Sequence, residues 1–342
     1  MASDIWFYEV PHEKGGVQKT VDKAMNAIDW RRQISGKKIF VKVNLCSSEF
    51  VPGQCTSPLV LDGVLKVLSE NDFDITVGDA DLAAARQCEK AAKVWGHTKI
   101  LDEYGVKFQN LSKDEMTSLP INGKVFEMLD IPKTVLESDH IIDLPVPKTH
   151  CLTTITCSLK NFWGVVPRVR HQYHLVVDEA IADINSFLMS RPLSVIVDGT
   201  IGMEENGPRT GKSRIADCVF SSIDPVAIDS FAAWIMGFQT PEHVKKAAER
   251  KLGSLEYNVK GDVPKRLNFE PPKPDSQPIF RWEIFFRRSF IKPLLFDTSI
   301  FSLLSYIATK YNTFYYYNRW GKSHQKNVMN SWYGEELRKF VD

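Results

Sequence analysis

The sequence lacks closely spaced cysteines, and none of its six cysteines forms a C-x-x-C pair. A ferredoxin-like iron–sulfur cluster needs such a run of thiolates, so no such cluster is expected. The first residues lack the basic start and the apolar run of a secretory signal. Because disulfides belong mainly to oxidising compartments, we expect reduced thiols in a soluble, cytoplasmic protein. The cysteines are Cys46, Cys55, Cys88, Cys151, Cys157 and Cys218.

An excess of one charge and a long apolar run are missing too. Lysine and arginine together number 43 against 42 aspartates and glutamates, which leaves a net charge of +1. This balance argues against general nucleic-acid binding, although it leaves room for a local basic patch. No window reaches about 18 uninterrupted apolar residues, so no transmembrane helix is predicted. The 342 residues, 43% of them hydrophobic, are enough to bury a substantial core.

The pattern through residues 1–260 predicts an α/β domain. Short β-branched runs alternate with amphipathic stretches, which is typical of a mostly parallel sheet with flanking helices. Helices are expected to start at Ser57-Pro58, Asp224-Pro225 and Thr240-Pro241, where a capping side chain precedes a proline. The strand candidates are Lys38–Leu45, Asp74–Gly78, His140–Leu144, Leu193–Val197 and Cys218–Ser221.

The composition changes after this domain. Residues 261–278 are rich in proline and charge and predict an extended linker. Residues 279–342 are dense in aromatic side chains with interspersed arginine and lysine, and they predict a mainly helical C-terminal extension. Two interpretations stay open for it. It is either a helical pair folded back on the main domain, which we favour, or an amphipathic segment that lies on a membrane or a protein partner.

The strand candidates end in polar residues, and ligands of open α/β sheets bind at the carboxyl ends of strands. If the strands are parallel, these residues gather along one edge. For Asp224, capping of the next helix is the favoured interpretation, whereas capping and function are equally open for Asp198. The polar residues at the strand ends are Lys42, Asn44, Asp79, Asp81, Asp143, Asp198 and Asp224.

The stretch from Leu144 to Pro167 and the residues that follow it are rich in cations, imidazoles and hydroxyls. Such a cluster on irregular backbone is typical of a carboxylate or phosphate site. Lys42 and Lys148 are expected to bind the anion, and His150 or His174 to transfer protons near neutral pH. His171 and His174, with Asp198, are candidate ligands of a divalent metal, although no H-E-x-x-H signature occurs.

The loop from Asp198 to Gly211 has glycines and a proline that let a backbone approach a ligand closely. Arg209 could hold an anion there, and a solvated loop charge is the other interpretation. Neither a G-x-x-x-x-G-K-[S/T] loop nor a G-x-G-x-x-G motif occurs, which argues against P-loop and Rossmann dinucleotide sites.

Four motifs in order, over roughly residues 36–255, resemble the uncharacterised DUF362 family. The resemblance implies an α/β fold with a site on these motifs, including Asn44 and Asn161 as substrate-binding residues. Many members carry a ferredoxin-like cysteine cluster, which this chain does not have. The motifs are Val41-Lys42-Val43-Asn44, Pro147–His150 with Leu159–Gly164, Asp198–Arg209 and Asp224–Asp229.

A more distant similarity links the chain to the nickel-pincer lactate racemase family. In that family a histidine precedes a cofactor-bearing lysine at a spacing like that of His150 and Lys160. A metal-binding histidine follows, and His171 or His174 would be its nearest equivalent. The similarity implies a catalytic role for Lys160.

Two classes of function stay open. The leading hypothesis is an isomerase or oxidoreductase that acts on a small anionic substrate, with a divalent metal as the candidate cofactor. The alternative is a non-catalytic module that binds a ligand, or docks on a membrane, a ribosome or a protein through residues 279–342. The sequence leaves the substrate, the metal and the oligomeric state open, a homo-oligomer included.

Overall fold

A computed structural model of the chain describes residues 2–82, 88–166, 170–273, 282, 285–286, 288–296, 298 and 300–341. The strands of these residues form one large sheet and one separate hairpin. The strands are β1 (Ser3–Glu9), β2 (Lys38–Lys42), β3 (Asp74–Asp79), β4 (Lys107–Asn110), β5 (Met116–Pro120), β6 (Met128–Pro132), β7 (His140–Asp143), β8 (Lys148–His150), β9 (Thr154–Thr156), β10 (Leu193–Glu204), β11 (Lys212–Ser222) and β12 (Tyr257–Gly261).

Helices flank the large sheet and make up most of the described C-terminal part. Short 3-10 turns cover Trp30–Gln33, Leu111–Lys113, Phe162–Val165 and Arg170–Val176, and a π-helix covers Asn312–Gly321. The α-helices are α1 (Gly16–Ala27), α2 (Pro58–Ser69), α3 (Cys88–Val94), α4 (His97–Tyr104), α5 (Lys133–Leu136), α6 (Ser158–Asn161), α7 (Val177–Leu188), α8 (Pro225–Met236), α9 (Glu242–Glu249), α10 (Lys292–Phe296), α11 (Ile300–Tyr311), α12 (Lys322–Met329) and α13 (Trp332–Leu337).

The sheet is mostly parallel, which confirms the predicted α/β class. Its order is β12-β1-β11-β10-β7-β2-β3-β4, with the β8–β9 hairpin attached to β10. The strands β10, β7, β2, β3 and β4 are parallel neighbours, so their carboxyl ends share one edge. β11 is antiparallel to β10. Asp224 follows β11 and therefore lies at the opposite edge, which corrects its expected place among the polar strand ends.

Each face of the sheet carries its own apolar core. In β2, Ile39 and Val41 belong to the cluster shared with α1 and α2, whereas Phe40 belongs to the cluster shared with α7 and α8. Burial on both faces explains why the central strands are nearly continuous apolar runs. Lys42 ends this run, and it is the first polar side chain of β2 that reaches the carboxyl edge.

The predicted helix starts are reproduced with small shifts. The Ser57 side chain accepts a hydrogen bond from the Leu59 amide, and Asp224 caps α8 through the amides of Val226 and Ala227. Capping is therefore confirmed for Asp224. The last predicted helix begins at Glu242, after Pro241 rather than after Thr240.

The described part of the proline-rich stretch is extended and lies against the main domain. The amides of Leu267 and Phe269 donate to carbonyls at the end of α8, and Phe269 is buried. Residues 274–278 of the predicted linker lie outside the described residues. Further along, α12 and α13 bury Val328 and Leu337 in the same cluster as α1 and α2. Within the described residues, no helix has the length and apolar character needed to cross a bilayer.

Candidate functional site

A buried ion pair lies at the carboxyl ends of β2 and β3. Lys42 is fully buried, and its Nζ lies 2.8 Å from Asp79 Oδ1. Asp79 Oδ2 accepts a hydrogen bond from the Leu45 amide at 2.7 Å. The backbone of Gly164 passes close to the pair, because a Cβ there would lie 2.6 Å from Asp79 Oδ1. The charge of Lys42 is therefore already neutralised by the protein's own carboxylate.

Two asparagines connect this pair to the neighbouring strand end. Asn44 Nδ2 donates to Asn161 Oδ1 at 2.9 Å, and Asn161 Nδ2 donates to Asp143 Oδ1 at 2.7 Å. The Ser158 hydroxyl donates to the other oxygen of Asp143, also at 2.7 Å. Burial raises the pKa of Asp143 to about 7, because the charged form is deprived of water. The predicted residues Asn44 and Asn161 thus belong to one buried polar network.

Lys148 is the second buried cation, and it differs from Lys42 in its partners. Its Nζ donates to Asn44 Oδ1 and to the Gln54 carbonyl, both at 2.5 Å, and lies 3.8 Å from Cys46 Sγ. Both oxygens are neutral. Within the described residues no carboxylate lies at ion-pair distance from Lys148, and Asp198 acts on it only through a longer-range attraction. Lys148 is 1% exposed.

The loop after β10 brings Arg209 to the same place. The Thr149 hydroxyl donates to the Glu205 carbonyl at 2.7 Å and accepts from the Gly207 amide at 3.3 Å, which fixes the loop beside β8. Gln54 Nε2 donates to the Arg209 carbonyl at 2.6 Å. The Nε of Arg209 is buried and has no hydrogen-bond partner among the described residues.

The thiol of Cys46 lies next to these two cations. It donates to the Gln54 carbonyl at 2.9 Å. The hydrogen bond from the Cys55 thiol lowers the pKa of Cys46 to about 6, and the charges of Lys148 and Arg209 act in the same direction against burial. This pKa favours the thiolate form of Cys46 at neutral pH.

Thr153 forms hydrogen bonds with both Lys160 and His150. Lys160 Nζ donates to the Thr153 hydroxyl at 3.1 Å, while the Thr153 amide donates to His150 Nδ1 at 3.4 Å. Burial lowers the pKa of Lys160 well below its ordinary value, and the charge of Lys148 adds to this effect. The ammonium form of Lys160 is therefore disfavoured by its burial.

The residues of this network fall within one continuous family match. A family model described as a domain of unknown function, DUF362, matches residues 39–234, which is more than half of the chain and contains all four sequence motifs. The chain belongs to the DUF362 family. Its motifs correspond to the end of β2, the β8–α6 segment, the second half of β10 with the loop that follows, and the start of α8.

Individual relatives of this DUF362 chain are distant. A thylakoid-associated protein of Synechocystis sp. is 25% identical over 228 residues, which covers 64% of this chain and 68% of that protein. The lactate racemase apoprotein from Thermoanaerobacterium thermosaccharolyticum aligns with a TM-score of 0.45 and 12% identity, over 70% of this chain and 58% of the racemase. A protein from Thermotoga maritima aligns with a TM-score of 0.35 and 13% identity, over 57% of this chain and 52% of that one.

The racemase family that the spacing of His150 and Lys160 suggested thus recurs among the structural neighbours. The DUF362 chain spans less than two thirds of the length of either solved neighbour. No function follows from a likeness at this level.

Two of the predicted metal ligands, Asp198 and His174, make other contacts. Both carboxylate oxygens of Asp198 accept hydrogen bonds, one from the Ser57 amide at 2.6 Å and the other from the hydroxyl of Thr200, also at 2.6 Å. His174 stacks on Trp163, with 6.3 Å between ring centroids. The side chain of His171 lies outside the described part. Within that part, no group of three or more His, Cys, Asp or Glu residues is placed to hold a metal ion.

Sequence reasoning missed the roles of three residues. Cys46 and Gln54 were not singled out, although Cys46 follows Asn44 by only two positions. Asp229 was quoted as part of a motif without a role. It is fully buried in α8, where Oδ1 accepts from the Ser158 amide at 2.7 Å and Oδ2 from the Leu159 amide at 3.1 Å. An aspartate in the middle of an apolar helix was the available signal for this role.

Proposed function

We propose that this DUF362 chain is an enzyme that binds a small anion, a carboxylate or a phosphate, and moves a proton on it as an isomerase. The observation that carries the proposal is the buried ammonium of Lys148, which donates to neutral oxygens of Asn44 and Gln54 and to the Cys46 sulfur, with no carboxylate at ion-pair distance among the described residues. Arg209 adds a second cation beside it, with Nε unpartnered among the described residues. The two cations face at most one negative charge of this site, the Cys46 thiolate, and a bound anion would supply the second.

Electrostatics supports this assignment over one that uses Lys42. A buried charge without a counter-ion is costly, and pairing recovers part of that cost. The planar guanidinium of Arg209 suits two-pronged recognition of a carboxylate or phosphate. Lys42 is already paired with Asp79, so we assign it to positioning Asn161, whose Oδ1 lies 3.4 Å from Lys42 Nζ.

Lys160 and His150 supply the proton transfer. A lysine with a lowered pKa suits the role of general base, and burial lowers the pKa of Lys160 well below its ordinary value. His150 accepts a backbone hydrogen bond at Nδ1, which assigns the proton of the neutral ring to Nε2. The two groups could therefore act as base and acid on one carbon next to the bound anion. Metal assistance through Asp198, His171 or His174 stays a prediction.

We also propose the cytoplasm as the compartment in which the enzyme works. All six cysteines are free thiols, which agrees with a reducing environment.

Binding is tested through the accessibility of Cys46. Wild-type protein is alkylated with iodoacetamide in the presence of rising concentrations of inorganic phosphate or acetate, and modification of the Cys46 peptide is measured by mass spectrometry. We expect at least one anion to protect Cys46 in the wild type and not in Arg209→Gln. Arg32→Gln, which changes an exposed arginine elsewhere, serves as the matched control and should behave as the wild type.

Proton transfer is tested by deuterium incorporation from heavy water into a panel of 2-hydroxycarboxylates, followed by proton NMR. The isomerase should exchange the hydrogen next to the carboxylate, and Lys160→Gln should lower the rate by about 10²- to 10⁴-fold while anion protection persists. Product formation without exchange would favour the oxidoreductase class, since a hydride transferred directly does not mix with solvent. Absence of both protection and exchange would contradict the proposal.

A further inference from the structure

The described C-terminal residues expose far more apolar surface than the rest of the molecule. Of the twenty large apolar side chains that are exposed in the described part of the chain, thirteen lie between Trp282 and Trp320. Phe290 is 95% exposed and Phe314 is 79% exposed. Contiguous apolar surface of this kind marks a docking site rather than ordinary surface variation. We call these thirteen side chains the aromatic surface.

Helix α11 carries the most regular part of this surface. Ile300, Leu303, Leu304, Ile307 and Tyr311 follow the helical spacing i, i+3, i+4, i+7, i+11, and all five are exposed. An apolar stripe with this spacing normally faces the core of a domain. Here it faces outward and is exposed.

The charge around the stripe has a single sign. The sequence from Thr298 to Gly334 contains no aspartate or glutamate, whereas Lys310, Arg319 and Lys322 are present and exposed. The Arg319 guanidinium lies 5.1 Å from the centre of the Tyr315 ring. Apolar residues flanked by tyrosine, tryptophan and basic side chains are the composition of helices that lie in a membrane interface.

The aromatic surface is fixed to the main domain at one end. Tyr316 is buried and its hydroxyl donates to the Gly211 carbonyl, while the Thr313 hydroxyl donates to the carboxylate of Glu49. The π-helix that holds both residues leads into α12 and α13. These helices bury Val328 and Leu337 in the core. The surface is therefore presented by the folded protein and does not depend on a free tail.

We propose that the aromatic surface docks the protein on an anionic lipid bilayer, with α11 lying in the plane of the headgroups. A second copy of the chain is disfavoured as the occupant, because a symmetric dimer would bring together two segments whose own charges are all basic from Thr298 to Gly334. In an anionic bilayer the acyl boundary accommodates the apolar stripe, and the negatively charged headgroups attract its basic flanks. This inference does not depend on the chemistry of the anion site.

Vesicle flotation tests the proposal with the full chain. Wild-type protein should float with vesicles of phosphatidylcholine and phosphatidylglycerol, bind vesicles of phosphatidylcholine alone much more weakly, and lose binding as salt screens the charges. The double variant Leu303→Ser with Ile307→Ser should lower the partition coefficient roughly tenfold or more, because both side chains leave the apolar interface. The double variant Lys310→Glu with Arg319→Glu should lose the preference for anionic lipid.

Matched controls change exposed residues outside the aromatic surface. Val263→Ser and Lys265→Glu, in the extended stretch after β12, should bind vesicles as the wild type does. All variants alter exposed side chains, and an unchanged unfolding transition verifies that they fold. Equal binding to neutral vesicles, or no binding to either kind, overturns the proposal. It is also overturned by a dimer in solution that Leu303→Ser with Ile307→Ser dissociates, since a second copy would then cover the surface.

Discussion

At the scale of single residues, Asp143 connects the polar network to the pH dependence of stability. Its folded-state pKa is about 7, raised by burial, against roughly 3.9 in an unfolded chain. The folded state therefore binds this proton more tightly. The resulting contribution to stability is fully present below pH 4 or so and is lost as the pH rises through about 7.

Replacement of Asp143 by asparagine should remove this contribution. The new carboxamide can still accept from Asn161 Nδ2, and its NH₂ group can donate to the Ser158 hydroxyl. The quantity to compare is the free energy of unfolding of the wild type minus that of Asp143→Asn. We expect this difference to fall by roughly 1 to 4 kcal/mol as the pH rises from 4 to 8. Urea unfolding at a series of pH values measures this difference. A difference that is independent of pH would show that Asp143 is ionised in the folded state throughout.

The sequence allowed the polar residues to be placed together but not their individual roles. Lys42 and Asn44 lie at the end of β2, and Lys148 and Asn161 from the segment after β7 both lie at hydrogen-bond distance from Asn44. Lys42 and Lys148 are the same residue type after two such strands, yet only Lys42 has a carboxylate partner. That difference arises from the register of β3, which brings Asp79 to Lys42. The residues next to each lysine in the sequence therefore do not reveal which of the two has a carboxylate partner.

At the scale of elements, the four-residue helix α6 depends on its neighbour α8. A helix of one turn is unstable alone, because nucleation costs more than its few hydrogen bonds return. Asp229 of α8 accepts from the first two amides of α6, and α6 carries both Lys160 and Asn161. A buried side chain distant in sequence thus positions two residues of the candidate site.

Removal of this cap should loosen α6 selectively. We expect Asp229→Ala to lower the free energy of unfolding by about 1 to 3 kcal/mol, because two buried amides lose their acceptor. Hydrogen exchange at the amides of Ser158 and Leu159 should accelerate beyond that global change. Asp224→Ala removes the cap of α8 itself and is the matched control. Equal exchange at α6 in both variants would argue against a local role for Asp229.

The elements recovered from sequence were those with strong local signals. Strands β2, β3, β7 and β10 are dense in branched apolar residues, and α2 and α8 begin with a cap followed by proline. The direction of β11 was not evident, because a strand's own residues do not specify its partner's orientation. The β5–β6 hairpin and α6 were also missed, since they are short and have little periodicity.

At the scale of the whole molecule, the chain beyond residue 321 is part of the fold rather than an appendage. Leu337 of α13 is 2% exposed and lies in the same buried cluster as Val21 of α1 and Leu65 of α2. The Lys99 ammonium donates to the Lys339 carbonyl at 2.6 Å, which adds a polar contact to the apolar ones. The C-terminal helices should therefore unfold together with the sheet.

Two leucines of the C-terminal segment test this cooperativity, because one is buried and the other exposed. Leu337→Ala should lower the free energy of unfolding by about 2 to 5 kcal/mol, the range for a large apolar side chain removed from a core. Leu303→Ala, at a position that is 59% exposed, should change it by no more than about 0.5 kcal/mol. If the fold is one cooperative unit, Leu337→Ala also accelerates hydrogen exchange at the Val41 amide in β2. Faster exchange confined to residues 322–341, with β2 unchanged, would mean instead that the helices unfold separately and only rest on the core.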